Sequence, residues 1–193
     1  MNSVPSLILA SASPRRRELL KQLAVSFIVQ PADIVEIVNV GETPQQFVER
    51  MAVEKAQAGF EQGGRSNVTM GADTIVVLND EILGKPESRA GAETMLGRLS
   101  GQTHHVYSAV ALVLMTGTVL QTINITAVTF AELPHAWIKQ ICQTDEPMDK
   151  AGAYAVQGGA GQYIRCIEGS YSGVMGLPLY ETGVLLRQAG LLT

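Results

Sequence analysis

The sequence has few of the residues that mark disulfide-rich, zinc-binding or membrane proteins. Only two of its 193 residues are cysteines, Cys142 and Cys166, and they form no CxxC or Cys/His ligand pattern, so zinc and redox chemistry are not expected. No run approaches the roughly 18 apolar residues that a spanning helix needs, so we expect no membrane partner. The stretch from Met1 to Leu9 has no cationic segment ahead of an apolar run, which argues against a signal peptide. We therefore expect a cytoplasmic protein with two buried thiols.

Several motifs of nucleotide and hydrolase chemistry are also missing. The chain has no P-loop, no GxGxxG after a strand, no HExxH helix and no GxSxG elbow. Its formal net charge of −4 argues against a protein that coats nucleic acid through bulk electrostatics, so no nucleic-acid partner is expected. His104 and His105 lie at a predicted strand start, where a structural or surface role is the more common one.

Hydrophobic patterning predicts a single α/β domain over residues 1–193 with a mixed sheet. Strands and helices alternate at the start, and a long hairpin lies in the middle. The predicted strands are 7–10, 25–29, 68–78, 81–83, 106–115, 118–130 and 162–167. The predicted helices begin at Pro14, Pro44, Ser88, Pro134 and Pro178. Residues 148–161 are predicted to form a loop that leads into a strand and a second loop, and residues 168–176 another loop.

The first strand is followed by a serine-rich turn that suits an anion. Ser13 is a good N-cap and Pro14 a good first helical residue, and Ser11 lies two residues before the cap. Free backbone N–H groups, two hydroxyls and the cations Arg15, Arg16 and Arg17 would converge there. The alternative is a capped helix with a solvated arginine cluster, and this stretch alone favours neither interpretation.

A set of cations and carboxylates elsewhere fits polyphosphate hydrolysis. Cations would neutralise the phosphates, and one or two carboxylates would hold Mg²⁺ or Mn²⁺ or activate water. Lys55 either lays its stem along the core, the commoner case, or points into a cleft. The candidates are expected on loops or element ends, and they are Arg15, Arg16, Glu36, Lys55, Asp73 and Lys85.

Ordered short motifs along nearly the whole chain resemble the Maf family, the septum-formation-inhibitor-like nucleotide pyrophosphatases. The matching pieces are Ser11–Arg16, Glu36, Glu54–Ala56, Gly71–Thr74, Gly84–Pro86, Leu99–Gly101, Asp149–Tyr154, Gln157–Gly158, Gly169–Tyr171 and Gly176–Pro178.

The resemblance implies a metal-dependent enzyme that converts nucleoside triphosphates to monophosphates and pyrophosphate. It implies an elongated two-lobed α/β fold with a central cleft, related to the inosine triphosphatases, and commonly a homodimer. Asp73 would be the general base, and Glu36 and Asp73 would hold the divalent cation. The implied substrate-binding residues are Ser11, Arg15, Arg16, Lys55, Thr74, Lys85 and Gln157.

Within the family, three residues favour the branch that acts on dTTP and UTP. These are Arg15, Thr74 and Gln157, and a guanidinium and an amide can hydrogen-bond the carbonyls and N3–H of a pyrimidine. The competing hypothesis is a nucleotide-binding regulator of septum formation without turnover. Asp73 and the two lysines favour the enzyme, because binding alone needs no base.

Overall fold

The fold is built on one mixed sheet of seven strands, as seen in a computed structural model that describes residues 7–192. The strands are β1 Leu7–Leu9, β2 Phe27–Val29, β3 Thr69–Leu78, β4 Glu81–Leu83, β5 Thr103–Val113, β6 Val119–Phe130 and β7 Ile164–Glu168. The helices are α1 Pro14–Lys21, α2 Pro44–Gln62, α3 Arg89–Leu99, α4 His135–Cys142, α5 Tyr171–Met175 and α6 Leu179–Gln188. The predicted α/β class is confirmed.

The strand order is β2-β1-β3-β5-β6-β7, and β4 pairs with β3 off this path. The first strand is parallel to both β2 and β3, whereas all other pairs are antiparallel. Both β1 and β4 therefore lie along the edge of β3 that faces away from β5. No helix within residues 7–192 is both long and apolar enough to cross a membrane.

Local sequence signals set the starts of the two helices nearest this edge. Ser13 caps α1, with its hydroxyl accepting from the Arg16 amide, and Pro14 follows at the first helical position. Thr43 and Gln46 form a reciprocal capping box at the start of α2. Both starts agree with the sequence prediction.

The core is divided between the two faces of the sheet. On one face α2 packs against Ile75 and Val77 of β3. On the other face two apolar clusters form, one around Met70 with α1 and α6, the other around Val76 with α3 and α4. Thr74 lies on this face between them, because alternate residues of a strand point to opposite faces.

Glycine at position 71 lets α2 lie directly on β3. A Cβ there would collide with the Ala52 carbonyl oxygen and the Ala56 amide nitrogen of the helix backbone. A glycine inside a strand often marks such a close approach. The contact brings the middle of α2, and with it Lys55, against the middle of β3.

Two predictions for the last third of the chain are wrong. Residues 148–161 contain no strand; they form 3₁₀ turns at Ala151–Ala153 and Gly159–Tyr163, with Gly152 at φ 69°. Residues 168–176 are not only loop, because they contain α5, which Ser170 caps and which ends at Gly176 with φ 115°. Only one of the two cysteines is buried, since Cys142 is enclosed and Cys166 is exposed.

Candidate active site

A gap along the edge of β3 forms the base of the candidate site. The first strand pairs with β3 only at Thr69 and Met70, and β4 pairs only from Val76 onward. In the part of the chain that the structure describes, no strand covers residues 71–75 on this side. The Ala10 amide donates to the Met70 carbonyl at 2.8 Å, so the main-chain groups of residues 72 and 74 also face the gap.

A cavity of about 780 Å³ opens over this gap. Ligand sites typically occupy 300–1,000 Å³, so the space suits a nucleotide. Every predicted site residue lines it, and these are Ser11, Arg15, Arg16, Glu36, Lys55, Asp73, Thr74, Lys85 and Gln157. They come from both faces of the sheet and from segments far apart in sequence.

A second depression, beside Trp137 and Tyr163, has a different character. Its volume is about 570 Å³, and no charged side chain lines it. It has nothing to neutralise a phosphate or activate water, so the charged cavity is the candidate active site.

Arg16 spans the gap between α1 and β3. Its Nε donates to the Gly176 carbonyl oxygen at 2.9 Å, Nη1 to the Ser11 hydroxyl at 3.3 Å and Nη2 to the Thr74 hydroxyl at 3.3 Å. Desolvation in the cavity lowers the pKa of Arg16, while the carboxylates of Asp73 and Glu36 oppose that shift. Two of the five N–H groups of a guanidinium are left for a bound anion.

Lys55 joins the two predicted metal ligands. Its ammonium group donates to Asp73 Oδ1 at 2.6 Å and lies 2.8 Å from Glu36 Oε1. The side chains of Lys55 and Asp73 are only 11% and 7% exposed, so Lys55 points into the cleft rather than along the core. Lys55 and Asp73 also lie inside α2 and β3, so the expectation that all the candidates occupy loops or element ends is wrong.

The second oxygen of Asp73, Oδ2, is buried and has no hydrogen-bond partner among the described residues. Such an atom is costly unless something binds it. An unpaired, buried carboxylate oxygen in a phosphate-sized cavity suits either a water molecule or a cation.

Burial disfavours the charged form of Glu36, but the hydrogen bond from Lys55, and the charges of Lys55, Lys85 and Arg16, outweigh it and lower the pKa. The group is therefore a carboxylate at neutral pH.

These two carboxylates fit a divalent cation that is shared with the substrate. Within residues 7–192 no group of three or more His, Cys, Asp or Glu side chains could hold a metal. Mg²⁺ commonly binds through one or two carboxylates plus substrate phosphates, so the donor set suits a cation that arrives with a triphosphate.

The remaining predicted side chains surround the mouth of the cavity. Arg15 Nη1 lies 3.4 Å from Asp149 Oδ2, and the side chain of Arg15 is partly exposed. Lys85 and Gln157 are exposed. The Gly152 amide donates to the Gly84 carbonyl oxygen at 3.1 Å, which ties the segment before Gln157 to the loop that carries Lys85.

Sequence reasoning missed two contacts that hold the arginines. The Gly176 carbonyl oxygen accepts from Arg16, and no residue type signals a main-chain acceptor. Asp149 faces Arg15, and its place in a matched motif was a usable signal. Together the contacts make a cationic cavity that contains a buried carboxylate oxygen with no partner among the described residues, an arrangement able to bind a polyphosphate and take a proton from water.

The chain is similar to known proteins over nearly its whole length. Residues 6–189 match the family model described as Maf-like protein. A dTTP/UTP pyrophosphatase of Pseudoalteromonas atlantica is 48% identical over 189 residues, which cover 96% of this chain and 97% of that protein. A dTTP/UTP pyrophosphatase of Colwellia psychrerythraea is 49% identical over 188 residues, covering 95% and 88%. A crystal structure of a dITP/XTP pyrophosphatase from Mycobacterium abscessus aligns over 96% of this chain and 95% of its own, with 18% identity and a TM-score of 0.46.

Proposed function

The chain belongs to the Maf-like protein family, and we propose that it hydrolyses dTTP and UTP to the nucleoside monophosphate and pyrophosphate. Two relatives named for that activity share almost half of their aligned residues with it over nearly the whole chain. The observation that carries the proposal is the pair Lys55–Asp73 in the floor of a cationic cavity, with Asp73 Oδ2 unpartnered.

The cations would bind the triphosphate. Arg16 is fixed by its three protein acceptors and keeps two N–H groups for phosphate oxygens. Lys85 also lines the cavity, and Ser11 lies in the turn at the start of α1, where free amides favour an anion. The positive charge of Lys55 offsets part of the negative charge of Glu36 and Asp73, which would otherwise repel the phosphates.

Asp73 would act as the general base. Lys55 occupies Oδ1, so Oδ2 is the atom that would take a proton from the attacking water. Glu36 and Asp73 would hold a divalent cation, Mg²⁺ or Mn²⁺, through carboxylate lone pairs that neither Lys55 nor the attacking water uses. When bound, the cation would neutralise charge on the phosphates and on the leaving pyrophosphate. Lys55 contacts both carboxylates and so holds them next to each other.

Base recognition would depend on the mouth of the cavity. Arg15 and Gln157 offer N–H donors and an amide carbonyl, which complement the two carbonyls and N3–H of uracil or thymine. Thr74 would act instead on the phosphates, because its hydroxyl holds Arg16.

At the scale of the whole protein, we further propose that the protein is a single-domain homodimer in the cytoplasm. There it would remove unwanted pyrimidine triphosphates from the nucleotide pool. Light scattering after gel filtration tests the dimer, with a mass near 41 kDa expected from the 20.6 kDa chain.

The proposed activity is tested by pyrophosphate release from the common ribo- and deoxyribonucleoside triphosphates and 7-methyl-GTP. The assay is run with Mg²⁺, with Mn²⁺ and with a chelator. Metal-dependent release that is fastest with dTTP and UTP supports the proposal. Nucleotide binding without release from any of them would instead support a non-catalytic regulator of septum formation.

A further inference from the structure

The loop that carries Glu36 has few contacts that hold it in place. Residues 30–42 connect β2 to α2 without a helix or strand of their own. Before Glu36, Ile34 is partly buried and packs against the α2 cluster. After Glu36 the apolar side chains do not anchor the loop, because Ile37 is 65% exposed and Val40 fully. Polar contacts must therefore hold the part of the loop that follows Glu36.

Arg50 of α2 supplies most of those contacts. Its Nε donates to Glu42 Oε1 at 2.6 Å, and its Nη2 donates to Glu42 Oε2 at 2.7 Å and to the Ile37 carbonyl oxygen at 2.8 Å. Its Nη1 donates to Glu54 Oε1 at 3.0 Å, which fixes the guanidinium on the helix surface. The Ile37 contact falls one residue after Glu36.

We call the contacts of Arg50 with Glu42 and Ile37 the clamp. Glu42 is its carboxylate on the loop side. Its side chain is 8% exposed, and its Oε2 also accepts from the Asn39 amide at 2.9 Å. The two N–H groups of Arg50 are the main reason that the pKa of Glu42 falls to about 2, so the carboxylate is charged throughout the neutral range. A bidentate, charge-assisted pair of this kind fixes direction as well as distance.

We propose that Arg50 is a positioning residue that sets the Glu36 carboxylate beside Lys55 and Asp73. The inference rests on the proposed function, since it concerns how that site holds its cation. Helix α2 then acts on the loop at two points: Arg50 holds the backbone just after Glu36, and Lys55 holds the Glu36 carboxylate itself. A lysine at position 50 could not make all four of these contacts, because its ammonium has three N–H groups and lacks the planar fork.

The test measures Mn²⁺ binding by electron paramagnetic resonance, with the non-hydrolysable α,β-imido analogue of dUTP present. Arg50→Met should weaken Mn²⁺ binding about ten-fold, a typical cost of removing a residue that orients a metal ligand. Arg50→Lys should recover only part of the loss. Glu42→Gln, which keeps Arg50 and perturbs the fold less, should weaken binding in the same direction.

Arg65→Met is the matched control. Arg65 pairs with Glu61 at the far end of α2, and its side chain is 68% exposed. It should bind Mn²⁺ like the wild type, although it also loses a guanidinium–carboxylate pair.

A double-mutant cycle separates positioning from a general loss of stability. If Arg50 acts through Glu36, the Glu36→Gln/Arg50→Met variant should bind Mn²⁺ no more weakly than Glu36→Gln alone. Additive losses would overturn the proposal, as would Mn²⁺ affinities within two-fold of the wild type in both Arg50→Met and Glu42→Gln.

Failure of the proposed function would look different. If the wild-type complex binds no Mn²⁺, the metal site itself is refuted. Amide hydrogen exchange of residues 33–41 then tests by itself whether Arg50 holds the loop. Faster exchange in Arg50→Met supports the clamp, and unchanged exchange refutes it.

Discussion

At the scale of single residues, only one of the two oxygens of Asp73 has a partner among the described residues, so we assign the two oxygens different roles. Lys55 donates a hydrogen bond to Oδ1 at 2.6 Å, whereas Oδ2 is buried and has no partner among the described residues. We predict that Asp73→Asn lowers the maximal rate by 10²- to 10⁴-fold, roughly the contribution of a general base, because an amide cannot take the proton. Affinity for α,β-imido-dUTP, measured by calorimetry, should change far less.

Asp80→Asn is the control for that substitution. Asp80 is an exposed turn residue with φ 63°, a conformation that asparagine tolerates, and it lies outside the cavity. It should keep the wild-type rate. Turnover by Asp73→Asn at the wild-type rate would remove Asp73 from the role of base.

The residues at the mouth of the cavity should determine which nucleobase the site accepts. We predict that Arg15→Ala and Gln157→Ala reduce the preference in kcat/KM for dTTP and UTP over purine triphosphates by roughly ten-fold, because the pyrimidine edge loses hydrogen-bond partners. Maximal rates should change by less. Gln140→Ala, beside Trp137 in the uncharged depression, serves as the control. Equal losses on every nucleotide would contradict the assignment.

The residues that line the cavity were predictable from motif positions, but their contacts were not. Lys55 shows the reason: its place on the edge of an apolar stripe is compatible with two directions, and only the packing of α2 on β3 chooses between them. Arg50 and Glu42 were not predicted at all, because a clamp between a loop and a helix has no periodic pattern.

At the scale of elements, the contact between α2 and β3 at Gly71 sets the reach of Lys55. We predict that Gly71→Ala destabilises the fold by more than about 2 kcal/mol, because the new methyl group meets helix backbone, which cannot turn aside. Urea unfolding measures this, and turnover should fall with it.

Gly97→Ala is the matched control. Gly97 lies in α3, and a Cβ there would meet nothing within 4 Å. Alanine should stabilise this helix, by up to about 1 kcal/mol. Similar unfolding free energies for Gly71→Ala and the wild type would disprove the close-approach argument.

Elements with strong patterns were predicted well, whereas α5 and the 3₁₀ turns of residues 148–163 were not. The long strands and capped helices carry alternation, prolines and N-caps, so their existence followed from the sequence. Helix α5 spans only five residues, too few for a periodic apolar stripe. The backbone path of residues 148–161 is set by turns such as the one at Gly152, where φ is 69°, and not by a hydrophobic pattern.

At the scale of the whole molecule, a buried histidine links stability to pH. His104 is fully enclosed, its Nε2 lies 2.7 Å from the Tyr154 hydroxyl, and burial lowers its pKa from 6.5 to about 4. The unfolded chain binds this proton first as pH falls. The free energy of unfolding should therefore drop between pH 6.5 and 4, by roughly 3 kcal/mol from this residue, and level off below.

Urea unfolding at pH 7, 5.5 and 4 checks this dependence. His104→Phe should be less stable at pH 7, because Tyr154 loses its partner, but it should lose less stability on acidification. His135→Asn, at an exposed position, should match the wild-type profile. An identical pH slope in the wild type and His104→Phe would contradict the assignment to His104.

The whole-molecule picture was partly predictable. The α/β class and the family followed from the element pattern and ordered motifs and are confirmed. The gap in the edge of β3 was not foreseen, because it depends on β1 ending after Leu9 and β4 starting its pairing at Val76. Such a gap is set by strand register, which single-sequence patterns do not specify.

The most direct test of the central claim is a ³¹P NMR time course of dTTP hydrolysis with Mg²⁺ by the wild-type protein and by Asp73→Asn. The account predicts dTMP and pyrophosphate in equal amounts, without dTDP, and almost no conversion by Asp73→Asn. Formation of dTDP and phosphate, or equal rates for the two proteins, would contradict it.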